Sequence, residues 1–397
     1  MISSASTSPA LAAIKDLDLR LRTWLCEKAL PLWLEAGFDA QTGRFAETLS
    51  IDGARAPESG MVRARVAPRQ IYSLIEGARI GYTGAVQDQV HRGLCHFLNN
   101  FRDENRLAVN AISWDGRTRD TTFDLYNQAF LIFALAHGTK AIPHRHADLL
   151  ASADRTLLEL SNSFAHPGGG FHETNPPQAP LRSNPHMHML EACLAMEDAG
   201  GGMRWRDLGD QIVTLALTRF IDPATGALHE FFALDWSLPQ DASTQTVEPG
   251  HQFEWAWLLL NWAKRRGKTA EVLPAAVRLA ALSERHGVDP SRGAAIMELH
   301  GDLSPRDKTA RLWVQTEWLK AAIALAEVQA GEEREAAIVS ALRAGKALET
   351  YLDVPVQGLW RDKWLADGSF VAEPAPASSL YHIVCAISCL TSFVRKL

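Results

Sequence analysis

Gly43-Arg44-Phe45-Ala46-Glu47 returns five more times along the chain in altered spelling. It recurs as Asn105-Arg-Leu107-Ala-Val109, Gly169-Gly-Phe171-His-Glu173, Gly226-Ala-Leu228-His-Glu230, Ala294-Ala-Ile296-Met-Glu298 and Gly358-Leu-Trp360-Arg-Asp362. The pattern is small residue, any, apolar, any, usually acid, and its starts lie 57 to 68 residues apart. A fixed period of that size marks a repeat architecture, in which no unit buries its apolar face alone. The alternation within each phrase reads as a short strand.

Around these phrases, apolar residues recur at i, i+3, i+4 and i+7, the helical period. Twelve helices are expected, at about 10–36, 65–82, 86–101, 124–138, 145–163, 185–199, 203–220, 251–266, 269–286, 310–330, 332–352 and 378–396. The connections alternate. Those after odd helices are long, rich in Gly and Pro, and carry the repeated phrase; those after even helices are short (Gly84-Ala85, Gly200–Gly202, Gly331), as antiparallel neighbours require. The even helices, such as 125–136 and 253–262, are apolar nearly all round, as an element buried on both sides must be. Six hairpins with such inner helices predict a closed all-α (α/α)6 barrel, one catalytic domain over 1–397. Short β-hairpin-like loops would lie at one mouth, each feeding the N-terminal end of an inner helix.

Composition narrows the function. The chain has 397 residues, 47% of them hydrophobic and 22% charged, which excludes disorder. A net charge of −6 provides no basic excess for nucleic acid, and no apolar run approaches a membrane span. The first twenty residues lack the pattern of a signal peptide, and five cysteines without a CxxC pair read as reduced thiols. The expectation is a cytoplasmic protein with no nucleic-acid or membrane partner.

Each even helix spends its first turns on groups that are costly to bury unpaired. They are Arg69-Gln70, Tyr126-Asn127-Gln128, Asn184-Pro-His186-Met-His188, His251-Gln-Phe-Glu254, Trp313-Val-Gln315-Thr-Glu317 and Tyr381-His382. Six such clusters converging on one opening define a candidate site. Three histidines from three helices suit proton transfer near neutral pH. His186 and His188 lie about 200° apart around a helix, so one faces inward; His188, with Glu191 at i+3, is taken as that one. His251 has Glu254 at i+3 as its expected orienting partner, whereas His382 needs an acid from another helix. Arg69 could steady an oxyanion or pair with Glu254 or Glu317, and Trp313 could stack on a sugar. No zinc-type spacing, Gly-rich phosphate loop or dinucleotide fingerprint is present, so neither metal nor cofactor is expected; a mixed His188/His251/His382/Glu254 metal site is the alternative.

RQIYSLIEGARIGY (69–82), FDLYNQAFLIFALA (123–136), SNPHMHMLEA (183–192), EPGHQFEWAWLL (248–259), RLWVQTEW (311–318) and PASSLYHIVCA (376–386) together resemble the N-acylglucosamine 2-epimerase superfamily. That superfamily includes mannose isomerase, sulfoquinovose isomerase and cellobiose 2-epimerase. The resemblance implies an (α/α)6 barrel, cofactor-free proton transfer beside a sugar carbonyl, a monosaccharide as partner, and a monomer or homodimer. It places the active-site arginine at Arg69 and the first histidine phrase at Asn184 and His188. The acid/base histidine and its glutamate fall at His251 and Glu254, the tryptophan–glutamate phrase at Trp313, Gln315 and Glu317, and the last histidine at His382. Tyr126 and Asn127 join Asn184, Trp313, Gln315 and Glu317 as expected substrate contacts. Cellobiose epimerases carry two adjacent tryptophans where this chain has Leu312-Trp313, and the likeness leans to the mannose-isomerase branch.

The expected activity is therefore aldose–ketose isomerisation of a free hexose, D-mannose to D-fructose, through a cis-enediolate. His251, poised by Glu254, assists ring opening; His382 moves the C2 proton to C1; Arg69 and His188 hold the developing oxyanions. The alternative is 2-epimerisation of N-acylglucosamine or another aldose, with His251 as second base. A glycoside hydrolase using Glu47, Glu173, Glu230, Glu298 or Glu317, and a non-enzymatic helical scaffold, are rivals from other classes.

Overall fold

The computed structural model describes residues 9–55, 60–241 and 244–397. Its helices are α1 (Pro9–Trp24, running through a π turn at Leu25–Ala29 into Leu30–Glu35), α2 (Val66–Ile80), α3 (Gln87–Asn100), α4 (Leu125–Ala141), α5 (His146–Phe164) and α6 (Ser183–Asp198). They continue as α7 (Met203–Leu215, ending in a π turn at Ala216–Phe220), α8 (Pro249–Arg266), α9 (Thr269–Gly287), α10 (Leu312–Val328), α11 (Gly331–Leu352) and α12 (Ser378–Val394). All twelve expected helices are present, with ends shifted by a few residues.

The even helices form a ring: α2 packs on α4, α4 on α6, α6 on α8, α8 on α10, α10 on α12, and α12 back on α2. Each also packs on its own outer partner across the short connection, and α12 meets α1 from the other end of the chain. The chain therefore closes into an (α/α)6 barrel rather than an open solenoid. Burial follows from sequence: α4 and α10 are apolar around their whole circumference and bury nearly every side chain, whereas α3 and α5 bury one stripe. The short turns reverse the chain tightly; Gly267 after α8 takes φ 67°, a left-handed cap that donates its N–H to the Ala263 carbonyl.

The repeated phrases lie at the mouth and are smaller ladders than expected. Arg44–Phe45 pairs with Phe38–Asp39, and Ala294–Ala295 with Val288–Asp289. Elsewhere the phrase makes a single bridge, such as Ala165 to Phe171 or Ile221 to Leu228. A second set of pairings stitches neighbouring units: two residues just ahead of an inner helix pair with a loop of the next unit. Leu181–Arg182 joins Phe231–Phe232, Thr246–Val247 joins Glu298–His300, and Ala310–Arg311 joins Lys363–Trp364. Ala375–Pro376 joins Thr48–Leu49, closing the mouth between the two ends of the chain. The acid of the repeated phrase helps fix each seam. Glu47 accepts from the Arg63 backbone, Glu173 from the Arg182 backbone and guanidinium, and Asp362 from Arg311 and Ser379.

Candidate active site

Because the inner helices point their N-termini at this mouth, partial positive charge converges there. A cavity of about 380 Å³ opens among them, lined by His188, His251, His382, Arg69, Tyr126, Asn184, Glu254 and Trp313. Its rim carries Arg63, Arg65, Asp124, Arg182, Glu248, Met297, Arg311, Ser378 and Ser379. The three histidines expected from sequence thus meet at one cavity. His186 turns away into the core, where Nδ1 meets the Arg182 carbonyl and Nε2 accepts from the Phe171 N–H.

Trp313 separates two histidines, its ring centroid 5.2 Å from His251 and 5.8 Å from His382. Gly250 makes room for it: a Cβ there would sit 2.4 Å from the indole. On one side, His251 Nδ1 lies 2.9 Å from Glu230 Oε2 and 3.4 Å from Glu248 Oε2. Burial pushes the imidazole down, but the two carboxylates overrule it and hold its pKa at about 10. Glu248, buried and beside Glu230, is in turn raised to about 7. His251 is therefore an imidazolium at neutral pH, with Nε2–H free toward the cavity.

On the other side, His382 Nδ1 lies 2.8 Å from Glu317 Oε1 of α10, the acid from another helix that sequence required. Burial and the cations Arg69 and Lys320 hold His382 well below its ordinary value. It is a neutral imidazole facing Glu317, and with that carboxylate ionised the ring proton sits on Nδ1 and the Nε2 lone pair is available. Two histidines pushed in opposite directions are the arrangement that assigns an acid and a base.

Arg69 is 5% exposed and has no carboxylate partner among the described residues. It donates to the Tyr126 hydroxyl and lies 4.5 Å from the Phe130 ring centroid and 5.1 Å from that of Tyr381. Its Nε has no hydrogen-bond partner, and neither does Asn184 Oδ1. Both residues line the cavity, with these two atoms buried in its wall. His188 Nδ1 sits 3.4 Å from Glu191 Oε2, the expected i+3 relation, and Glu191 also accepts from the Tyr381 hydroxyl.

Four expectations are corrected. Glu254 does not orient His251; its Oε1 faces Lys320 Nζ at 3.7 Å, and Glu230 and Glu248 take the role expected of it. Burial and neighbouring Glu317 raise Glu254 to about 7. Gln315 is fully buried behind the cavity, its amide bracketing the Ala295 N–H and C=O at 2.8 Å each, so no donor or acceptor is left for a sugar. Gln128 and Gln252 clamp Ala108 and Leu228 in the same way, a repeat-wide structural device. Asn127 is tied to Asn110 and Arg65, and Glu317 lies behind His382, so neither borders the cavity.

Sequence reasoning missed the rim residues Arg182, Glu248 and Arg311. A positional regularity carries them: each is the last residue before an inner helix, as are Arg65 and Asp124. Of the acids proposed for hydrolysis, Glu47 and Glu173 are bound to arginines and none of the five lines the cavity. Two groups bring three potential ligand atoms within 4.8 Å, His188/Glu191/Glu254 and Glu230/Glu248/His251. In each the histidine Nδ1 already faces a carboxylate oxygen, and we assign no metal to them. His188 and His251 fall in different groups, which removes the geometry of the mixed metal site. The five cysteines are free, and no helix among the described residues is long and apolar enough to cross a membrane.

Known proteins resemble this chain along nearly its whole length. The N-acylglucosamine 2-epimerase (GlcNAc 2-epimerase) family profile matches residues 43–386. A Rhizobium meliloti (strain 1021) protein named mannose-6-phosphate isomerase is 46% identical over 95% of this chain and 97% of its own. D-mannose isomerase of Thermobifida fusca is 27% identical over 79% of this chain and 80% of its own. Among solved structures, a D-mannose isomerase superposes with TM-score 0.84 at 18% identity, covering 98% of this chain and 100% of that one. Cellobiose 2-epimerase of Bacillus thermoamylovorans B4167 gives 0.83 at 19%, covering 96% and 100%. The chain belongs to the N-acylglucosamine 2-epimerase family and is a sugar isomerase or epimerase.

Proposed function

We propose that this enzyme is an aldose–ketose isomerase of a free hexose, interconverting D-mannose and D-fructose. The observation that carries the choice is the opposed protonation of His251 and His382 across Trp313. An epimerase works in both directions and needs each of two groups to serve in turn as base. His251, held charged by two carboxylates, suits donation and not abstraction, so one base remains, and one base on one face moves a proton between adjacent carbons.

His251 Nε2–H donates to the ring oxygen as the hemiacetal opens, and the proton released from the O1 hydroxyl returns to the imidazole so formed. His382 Nε2 removes the C2 proton and returns it to C1 on the same face. The enediolate charge on O1 and O2 falls to Arg69 and His188, helped by the converging helix N-termini. O2 must lose its proton as O1 gains one, and Glu254, raised to about 7 on the cavity wall, suits that exchange. The reaction then balances within the substrate and leaves every side chain as it began.

The relative named mannose-6-phosphate isomerase raises a second reading, because five guanidiniums border the cavity. Four of these already face carboxylates: Arg63 with Glu47, Arg65 with Asp124, Arg182 with Glu173 and Asp124, and Arg311 with Asp362. A phosphate dianion would meet largely neutralised arginines, which favours the free sugar. An NMR screen of mannose, fructose, glucose, lyxose, talose, N-acetylmannosamine and mannose 6-phosphate, with chelator present, tests this. Interconversion of mannose and fructose is expected. Turnover confined to N-acetylmannosamine, or kcat/KM higher for the phosphorylated sugar, would overturn it.

A further inference from the structure

Lys320 is fully buried in α10, one turn beyond Glu317, and reaches neither solvent nor the cavity. Its Nζ lies 2.6 Å from Glu317 Oε2, 3.7 Å from Glu254 Oε1 and 3.8 Å from the Trp257 ring centroid. Three carboxylates, Glu254 on the cavity wall and Glu191 and Glu317 behind it, are buried together, with Tyr381, His382 and Cys385 of α12 and His188 of α6 around them. A buried lysine is costly unless paired, and three carboxylates without a cation could not all stay ionised.

We propose that Lys320 is a positioning residue that keeps Glu317 an acceptor and thereby fixes the tautomer of His382. Glu317 presents Oε2 to the lysine and Oε1 to His382 Nδ1, so the ammonium reaches the imidazole through one carboxylate. With Glu317 ionised, Nδ1 carries the ring proton and Nε2 is bare toward the substrate. Without the lysine, a proton enters the Glu317–Glu254 pair. A protonated Glu317 donates to Nδ1, and the ring proton moves to Nε2, where no base is left. Burial opposes the charge on Lys320, and Cys385, Glu317, Glu254 and Glu191 together override it, so the cation persists at all working pH values.

The inference rests on the reading of His382 as the base, and its test separates the two. K320M keeps the stem and removes the charge. Its kcat is expected to fall about 100-fold with KM within about threefold, because Lys320 touches no substrate. The acid limb of its kcat profile moves up by about one unit or more, since Glu317 must now lose a proton without help. The 15N spectrum of labelled His382 reports the tautomer directly: Nδ1–H in the wild type, Nε2–H in K320M at neutral pH. If K320M does not fold, K320Q, which leaves Glu317 a polar neighbour without the charge, is read by the same spectrum. A lowered melting temperature with an unchanged tautomer and acid limb would overturn the proposal and make Lys320 merely structural. Unimpaired proton exchange in H382Q would defeat the base assignment and leave the tautomer result standing.

Discussion

Replacing Glu230 by Gln is the sharpest perturbation of the acid side of the site. In the wild type the His251 pKa stands at about 10 against an ordinary 6.5. That difference is on the order of 5 kcal/mol favouring the charged form. Burial works against it, so the carboxylates supply more than the net value. Glu230 is the nearer, at 2.9 Å against 3.4 Å for Glu248. Its loss also relieves the repulsion that raises Glu248, which then ionises more readily and partly compensates. The expected fall is therefore about half the shift, roughly 2 pKa units. Because the acid is loaded only below its pKa, the alkaline limb of kcat/KM moves down, from about 10 in the wild type toward about 8 in E230Q. Initial rates of ketose formation between about pH 6 and pH 10 read this directly. An NMR titration of His251 in E254Q, which needs no turnover, is the control, because Glu254 acts on His251 more weakly than either partner; the imidazole shifts far less there. An E230Q limb that stays in place, or a larger shift from E254Q, would refute the assignment of His251's partners.

Three further substitutions probe other parts of the site. H382Q should lower kcat by at least about 10³-fold and abolish exchange of the C2 hydrogen with solvent, with substrate binding retained in a titration. R69M removes a guanidinium from the expected oxyanion position and should cost about 10² to 10³ in kcat; a change confined to KM would reassign Arg69 to ground-state binding. Q315M leaves the Ala295 N–H and C=O buried and unpaired, so stability to urea should drop by about 2–5 kcal/mol with KM unchanged. A raised KM at full stability would restore Gln315 as a sugar ligand.

The fold was legible because its two determinants are local in sequence. Helical periodicity places each rod, and apolar residues all round 125–136 separate inner helices from outer ones. The π turns that end α7 and interrupt α1 have no comparable pattern. In the site, the convergence of His188, His251 and His382 was legible as polar first turns on buried helices. Which polar residue faces the cavity was not, because the same turns hold both kinds. Gln315 stands two residues from Trp313, yet it clamps a loop while the tryptophan lines the cavity. The i+3 rule succeeded for His188 and Glu191, both inside one helix. For His251 it pointed the wrong way: one partner, Glu248, stands three residues before it rather than after, and the nearer one, Glu230, comes from the preceding loop, where the barrel's closure rather than helical spacing sets distance. Lys320 escaped notice because an ion pair wholly inside the inner ring looks, in sequence, like a solvated face.

The claim that one neutral imidazole shuttles a proton between neighbouring carbons is tested most directly by converting D-mannose in deuterated water and locating the label at early time. Ketose carrying deuterium at C1 is the predicted product. An aldose epimer labelled only at C2 would contradict the account and require a second base on the opposite face.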